Sequence, residues 1–292
     1  MLLAFTASAL FNVAVAVQAL DARTVGARHS LRLSLLRQLA RRPRWRLGVL
    51  LALVGWPFHA AALLLAPLTA VQPALAAGLL ILLLVASRVL HERVGGRELA
   101  GVLAIIAGEA GLAFAAPHRS STHTHGPGLA VALVAMAAVA LLPYLYRQRR
   151  GAHGLPSIMS AGVAFALSGF VTKLVSDDLS SGAIFSAWLW ADLVGLAAVI
   201  GVLSENTALQ SRPASQVAPL VFSAQTVLPV VLAPLLAGEH WGHTPLGGGA
   251  VVISLAVVVA GVLLLATSRA VDALIGGAAA APLAAEPEGE VV

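Results

Sequence analysis

The sequence predicts an all-α membrane protein with nine transmembrane helices. Hydrophobic residues make up 59% of the 292 residues and charged residues only 11%, whereas an average soluble domain has about 25% charged residues. A hydrocarbon core about 30 Å thick requires roughly 20 helical residues, and a helix satisfies its own backbone in lipid. The nine apolar stretches that meet this requirement are residues 2–20, 47–66, 70–87, 99–116, 128–146, 157–175, 184–204, 217–237 and 248–267.

Basic residues indicate how the chain is oriented in the membrane. With the N-terminus outside, 16 of the 18 Lys and Arg residues fall in inner segments, as the positive-inside rule requires. We therefore expect an N-out, C-in multi-pass protein of the plasma membrane. A cleaved signal peptide is the weaker interpretation of the first stretch, because no basic region precedes it. The predicted inner segments are residues 21–46, 88–98, 147–156, 205–216 and 268–292.

Asp192 and Lys173 are two of the three formal charges inside the nine spans. Asp192 lies about nine residues into the seventh span, where an aspartate is unfavourable by roughly 2.5–3.5 kcal/mol. We expect it to bind a proton or a cation, the alternative being a structural hydrogen bond to a neighbouring helix. Lys173 lies near the outer end of its span, where a long side chain can extend to the interface.

Glu109 is the third charge, and it lies near the centre of the fourth span. Beside it runs a stripe of small residues, which predicts a close contact between helices. We expect Glu109 to line a cavity, the alternative being a protonated structural carboxyl. The stripe consists of Gly101, Ala104, Gly108 and Gly111.

Uncharged or terminal polar residues complete the set of candidate pathway residues. Glu205 and Asn206 fall at the inner end of the seventh span, where an inner gate or cation ligand competes with a solvated helix end. The others lie within or beside spans and are either cavity residues or hydrogen-bonding contacts between helices. These are Gln18, His59, Gln72 and Gln225.

The chain contains an internal repeat. Residues 71–73 (Val-Gln-Pro), an apolar run and residues 92–95 (Glu-Arg-Val-Gly) recur as residues 217–219 (Val-Ala-Pro), an apolar run and residues 239–242 (Glu-His-Trp-Gly). The copies are displaced by five crossings, an odd number, so the second copy is inverted in the membrane. Such repeats are typical of alternating-access proteins. The predicted units are a first repeat (1–117), an outer loop with a linker helix (118–154), a second repeat (155–269) and a disordered tail (270–292).

These motifs resemble the drug/metabolite transporter superfamily with EamA-type repeats. The nine spans and Lys173 are most similar to its NIPA-type magnesium transporter branch. The resemblance implies two inverted four-helix repeats joined by a linker helix, and transport without ATP hydrolysis. The chain departs from the ten-span EamA pattern by one helix, where the Arg-rich segment 31–46 stands instead. The motifs are Leu65-Ala66-Pro67-Leu68-Thr69-Ala70-Val71-Gln72-Pro73 with Glu92, and Asn206-Thr207-Ala208-Leu209-Gln210 with Val217-Ala218-Pro219 and Glu239.

Two polar segments outside the spans carry weaker signals. The Arg-rich segment 23–46 has leucines between its arginines and is either a basic amphipathic helix on anionic lipid or topogenic charge alone. The outer loop 118–127 contains His123 and His125, but it lacks the spacing and partners of a closed metal site. We interpret it as a solvated loop.

The function classes are narrowed accordingly. The sequence has no phosphate loop, nucleophile elbow or closed metal cluster, so we expect neither an enzyme nor a cofactor. The basic residues sit between spans, which excludes a nucleic-acid partner. We expect a secondary transporter of a small molecule or ion, coupled to a proton or ion and surrounded by membrane lipids. A divalent-cation transporter and a non-transporting structural membrane protein are the alternatives, and a homodimer is left open.

Overall fold

The computed structural model of the chain describes residues 2–65, 68–115, 127–146, 154–236 and 245–279. Within these ranges it contains ten α-helices and no strand, so the all-α prediction is confirmed. The helices are α1 (Leu2–Ala22), α2 (Leu33–Leu39), α3 (Pro43–Leu65), α4 (Leu68–Arg88), α5 (Gly96–Ala115), α6 (Pro127–Leu145), α7 (Gly154–Ser181), α8 (Ile184–Leu209), α9 (Ala214–Leu236) and α10 (Gly249–Ala279).

Seven helices are long and apolar enough to cross a membrane within the described part of the chain: α1 and α5 to α10. They are the helices of a multi-pass membrane protein, as the composition predicts. The two other predicted spans lie in α3, of 23 residues, and α4, of 21 residues. The count of nine crossings stays a prediction.

Connecting segments 23–42, 89–95 and 210–213 meet at one end of the bundle, which we call the basic end. Arg23 forms an ion pair with Glu92, and the Glu92 carboxylate accepts a hydrogen bond from the backbone N–H of Ala214 at 2.7 Å. All three segments belong to the stretches that the charge pattern predicts on the inner side. Their meeting at one end agrees with that prediction, while the orientation in a membrane stays a prediction.

Helix directions follow from which termini lie at the basic end. A Cβ placed on Gly154, where α7 begins, would lie 2.5 Å from Arg212 Nε. Arg97, at the start of α5, donates to Thr267 in the second half of α10 at 2.7 Å. Therefore α1, α4, α8 and α10 run towards the basic end, whereas α3, α5, α7 and α9 begin there.

The same kind of contact recurs in the two halves of the chain. Phe11 of α1 packs on Gly55 of α3, and Phe165 of α7 packs on Gly201 of α8, since a Cβ on either glycine would lie within 3 Å of the ring. The phenylalanines are 154 residues apart and the glycines 146 residues apart. Glycine is required at both positions because the facing aromatic ring occupies the space of a side chain.

A second pair of contacts follows the same displacements. Ser8 of α1 fills the space beside Gly78 of α4, and Ala224 of α9 fills the space beside Gly162 of α7. Ser8 and Gly162 are 154 residues apart, and Gly78 and Ala224 are 146 residues apart. The glycine is on α4 in one half and on α7 in the other. The close packing is therefore kept, although the glycine and the larger side chain have exchanged helices.

The Arg-rich segment is folded onto the bundle. Leu35 and Leu39 of the short helix α2 are fully buried and pack with Val25 and Leu203, close to Trp45. The two expectations for this segment, a helix on lipid or topogenic charge alone, did not include this contact. The apolar side chains of α2 pack against Leu203, one turn before the polar end of α8.

The C-terminal boundary also differs from the sequence expectation. The second repeat is predicted to end at residue 269, but α10 continues to Ala279. Four of the ten added residues are alanine, which has the highest helix propensity. Residues 280–292, the outer loop residues 118–126 and Glu239 lie outside the described residues.

Candidate functional site: a buried carboxyl and the basic end

Glu109 is a buried carboxyl in the interior of the bundle, with 2% of its surface exposed. On α5 it belongs to a buried stripe with the helical spacing of four and three residues. One turn before it, Ile105 packs with residues of α4, α9 and α10, and one turn after it, Leu112 packs with residues of α9 and α10. Neither carboxyl oxygen of Glu109 has a hydrogen-bond partner among the described residues.

The glycines beside Glu109 bring α5 into backbone contact with α10. A Cβ on Gly108 would lie 2.5 Å from Val258 Cγ2 and 2.8 Å from the backbone oxygen of Ser254. On the facing helix α10, a Cβ on Gly261 would lie 2.6 Å from the backbone oxygen of Gly101. The predicted small-residue stripe is therefore a helix contact, and Glu109 lies at its edge.

A hydrogen-bonded cluster joins three helices at the basic end. The Asn206 side-chain amide of α8 donates to Gln18 Oε1 of α1 at 3.2 Å. The indole N–H of Trp45, at the start of α3, donates to Asn206 Oδ1 at 3.0 Å. The backbone N–H of Trp45 donates to Asp21 Oδ2 at 2.9 Å. Two predicted pathway residues, Gln18 and Asn206, are thus in direct contact.

A second set of hydrogen bonds fastens the segment before α2 to the end of α8. The backbone N–H of Leu31 donates to Thr207 Oγ1 at 3.0 Å. Ser30 donates to Gln210 Oε1 at 2.9 Å, and the Gln210 amide donates to the Val25 carbonyl at 2.9 Å. Leu31 has a φ of 53°, a left-handed conformation that is strained for a leucine, and these contacts hold it.

Glu92 connects the loop before α5 with the start of α9. Its carboxylate accepts hydrogen bonds from the backbone N–H groups of Ala214 at 2.7 Å and Ser215 at 2.9 Å, and it pairs with Arg23. Glu92 is therefore the N-terminal cap of α9, and Glu98 accepts the N–H of Gly95 at the start of α5.

A cavity of about 500 Å³ opens beside this cap. The wall residue Glu98 lies on the same face of α5 as Glu109, and their displacement of eleven positions corresponds to about 16 Å of helix. Val102 and Ile105, which are fully buried, lie between them on this face. The cavity lining includes Arg23, His91, Glu92, Arg93, Glu98, Gln210, Arg212, Ser215 and Gln216.

The other predicted pathway residues are scattered. Asp192 is exposed on the side of α8 that faces away from the helix bundle, and so away from Glu109. Glu205 is buried, with 8% of its surface exposed, at the basic end of α8. His59 is half-buried, and its ring lies edge-on to Phe11 with 6.2 Å between centroids.

Gln225 is half-buried on α9. Gln72 and Lys173 lie in α4 and α7, but their side chains are outside the described residues. Among the described residues, no group of three or more His, Cys, Asp or Glu side chains comes together. Among the described residues, the arrangement therefore offers Glu109 as an interior carboxyl without a hydrogen-bond partner, Glu205 as a second buried carboxyl, and one polar contact layer at the basic end.

Three residues of this layer were not candidates from the sequence. Trp45, Asp21 and Arg23 appear there only as members of the predicted inner segment 21–46. Their partners lie far along the chain: Trp45 contacts Asn206, 161 residues away, and Arg23 contacts Glu92, 69 residues away. No local pattern in the sequence encodes such contacts.

Comparison with known proteins gave no relative: no family model, no curated protein and no solved structure matches this chain.

Proposed function

We propose that this chain is a membrane transporter that carries a small solute by alternating access and that Glu109 binds a proton or a cation during the cycle. The observation that carries the proposal is the burial of Glu109 without a hydrogen-bond partner for either oxygen among the described residues. Ionisable residues inside membrane spans are unfavourable and are typical of ion and substrate pathways. A bound proton or cation would neutralise the charge of this buried carboxyl.

The position of Glu109 suits this role. It lies on α5 at the edge of the contact with α10, so a shift of either helix would change the surroundings of the carboxyl. Asp192, the first candidate from the sequence, faces outward and is removed from the proposed pathway. The coupling role therefore passes to Glu109.

The packing supports an inverted repeat as the architecture of the transporter. We propose that α1, α3, α4 and α5 form one repeat, that α7 to α10 form the other, and that α6 links them. Corresponding helices have opposite directions relative to the basic end, and the contacts of Phe11 with Gly55 and of Phe165 with Gly201 recur. Repeats of this kind can rock about a central site.

Contacts between the two proposed repeats close the basic end. Asn206 of the second repeat binds Gln18 and Trp45 of the first, and Glu92 of the first caps α9 of the second. Access to Glu109 from this end would require these contacts to separate. We propose that the structure represents a state that is closed at the basic end. The charge pattern predicts that this end faces the cytoplasm and that the protein lies in the plasma membrane.

The experiment that tests this proposal begins with ligand binding. Purified protein is screened for thermal stabilisation against a panel of small metabolites and divalent cations, and each solute that stabilises it is tested for uptake into proteoliposomes. We expect a small organic solute to be transported by the unmodified chain. Stabilisation and uptake of magnesium alone would support the divalent-cation alternative, and the absence of both for every solute would support a structural role.

Two matched variants then assign the coupling residue. Glu109→Gln keeps the shape of the side chain but cannot take up a charge, so we expect it to be folded and inactive. Asp192→Asn makes the same chemical change on the outer face of α8 and is expected to transport normally. Loss of transport in Asp192→Asn with retention in Glu109→Gln would reverse the assignment.

A further inference from the structure

Helix α8 has two apolar faces, and the described residues cover only one of them. Trp190, Leu193, Val194 and Ala197 pack with residues of α6 and α7. The opposite face is exposed along most of the helix, with 71% of Trp188 and 59% of Leu196 accessible. We call this strip the Asp192 face, and it consists of Phe185, Trp188, Leu189, Asp192, Leu196 and Val199.

Asp192 lies well inside the apolar length of the helix. Asn206 belongs to the polar layer at the basic end, and the fourteen residues from Asp192 to Asn206 correspond to about 21 Å of helix. A hydrocarbon core is about 30 Å thick, so a membrane whose inner boundary is at Asn206 extends beyond Asp192. In such a membrane the carboxyl would lie among lipid-facing apolar side chains rather than in water.

A carboxyl in this position requires a partner. Among the described residues, no hydrogen bond or ion pair connects Asp192 to another side chain. Ionisable groups within membrane spans almost always face the protein interior or pair with another polar group. No described side chain of this chain supplies such a group, which points to one on a neighbouring membrane protein.

We propose that the Asp192 face binds a membrane helix of a partner protein and that this helix carries a lysine or arginine at the depth of Asp192. Charge complementarity selects this occupant, because a second copy of the chain would bring two like carboxyls together. A second helix can approach α8 closely beside the carboxyl, because a Cβ on Gly195 would have no atom within 4 Å. A helix of the partner can therefore lie directly against α8, as small residues allow in membrane helix pairs.

The test uses a synthetic transmembrane peptide as the probe. The chain has no cysteine, so Ser181→Cys, at the exposed end of α7, carries one donor fluorophore. The protein is reconstituted in phosphatidylcholine vesicles with an acceptor-labelled Leu/Ala helix of about 20 residues that contains one lysine at the depth of Asp192. A matched peptide with leucine at that position is the control, and energy transfer is measured against the peptide-to-lipid ratio.

We expect the lysine peptide to bind and the leucine peptide to bind about 3- to 30-fold more weakly. Asp192→Asn should lower binding of the lysine peptide to the leucine level, whereas Asp178→Asn, an acidic change elsewhere at the outer end, should not. Equal binding of both peptides, or energy transfer between two labelled copies of the chain that disappears in Asp192→Asn, would overturn the proposal. Stronger binding after Lys173→Gln would mean that the chain supplies the cation itself and would also overturn it.

Discussion

Replacing Glu92 by alanine removes a contact that joins distant parts of the chain. The Glu92 side chain is only 5% exposed, and it accepts hydrogen bonds from the N–H groups of Ala214 and Ser215 while pairing with Arg23. Alanine leaves the first N–H groups of α9 without their acceptor. It also leaves the Arg23 guanidinium, whose side chain is 31% exposed, without its carboxylate.

The expected loss of stability can be worked from these contacts. Removing the acceptor at a helix N-terminus lowers stability by about 0.5–2 kcal/mol, and a partly exposed ion pair contributes about 0–1 kcal/mol after solvent screening. Glu92→Ala should therefore lower the free energy of unfolding by about 1–3 kcal/mol. Arg23→Gln removes only the ion pair and should lower it by about 1 kcal/mol or less.

Unfolding in mixed detergent and SDS micelles, followed by circular dichroism, compares the two variants with the unmodified protein. High salt should reduce the effect of Arg23→Gln more than that of Glu92→Ala, because screening weakens the ion pair but leaves the cap. If Glu92→Ala were no less stable than Arg23→Gln, Glu92 would not be the cap of α9 and the reasoning would be refuted.

Three further predictions concern packing and topology. Gly108→Ala should lower stability by about 1–3 kcal/mol in the same unfolding assay, because its Cβ would lie 2.5 Å from Val258 Cγ2; Gly195→Ala, with open space around it, should not. A cysteine at Ser121 should react with an impermeant maleimide in intact cells, and one at Gln38 should not; labelling of Gln38 alone would reverse the orientation. In an experimental structure, α1 with α3 to α5 should superpose on α7 to α10 after a half-turn about an axis in the membrane plane, and halves with the same direction would exclude an inverted repeat.

The helical fold could be predicted from hydropathy because a membrane leaves the backbone few alternatives. Whether a given side chain faces the bundle interior or the lipid could not be predicted in the same way. A membrane helix such as α8 is apolar on all sides, so its sequence shows the depth of Asp192 but not whether it points inward or outward. Glu109 was different, because the glycines at 101, 108 and 111 mark one face of α5 as a helix contact and place the carboxyl at its edge.

The contacts at the basic end were also beyond the sequence. The hydrogen bond between Gln18 and Asn206 joins residues 188 positions apart, and Glu92 caps a helix that begins 122 positions later. Both depend on how complete helices pack. Leu35 and Leu39 show the same limit, since leucines between arginines predict an apolar face but do not say whether lipid or protein covers it.

Transport by Glu109→Gln in proteoliposomes is the most direct test of the central claim. The solute is one that stabilises the unmodified protein, and uptake is compared among the unmodified protein, Glu109→Gln and Asp192→Asn at equal protein content. Because Glu109 lies in the interior, we expect Glu109→Gln to be folded in the membrane but to lose coupled uptake. Because Asp192 is exposed on the surface of the bundle, we expect Asp192→Asn to keep coupled uptake. Full coupled uptake by Glu109→Gln would contradict the claim that this carboxyl lies on the transport pathway.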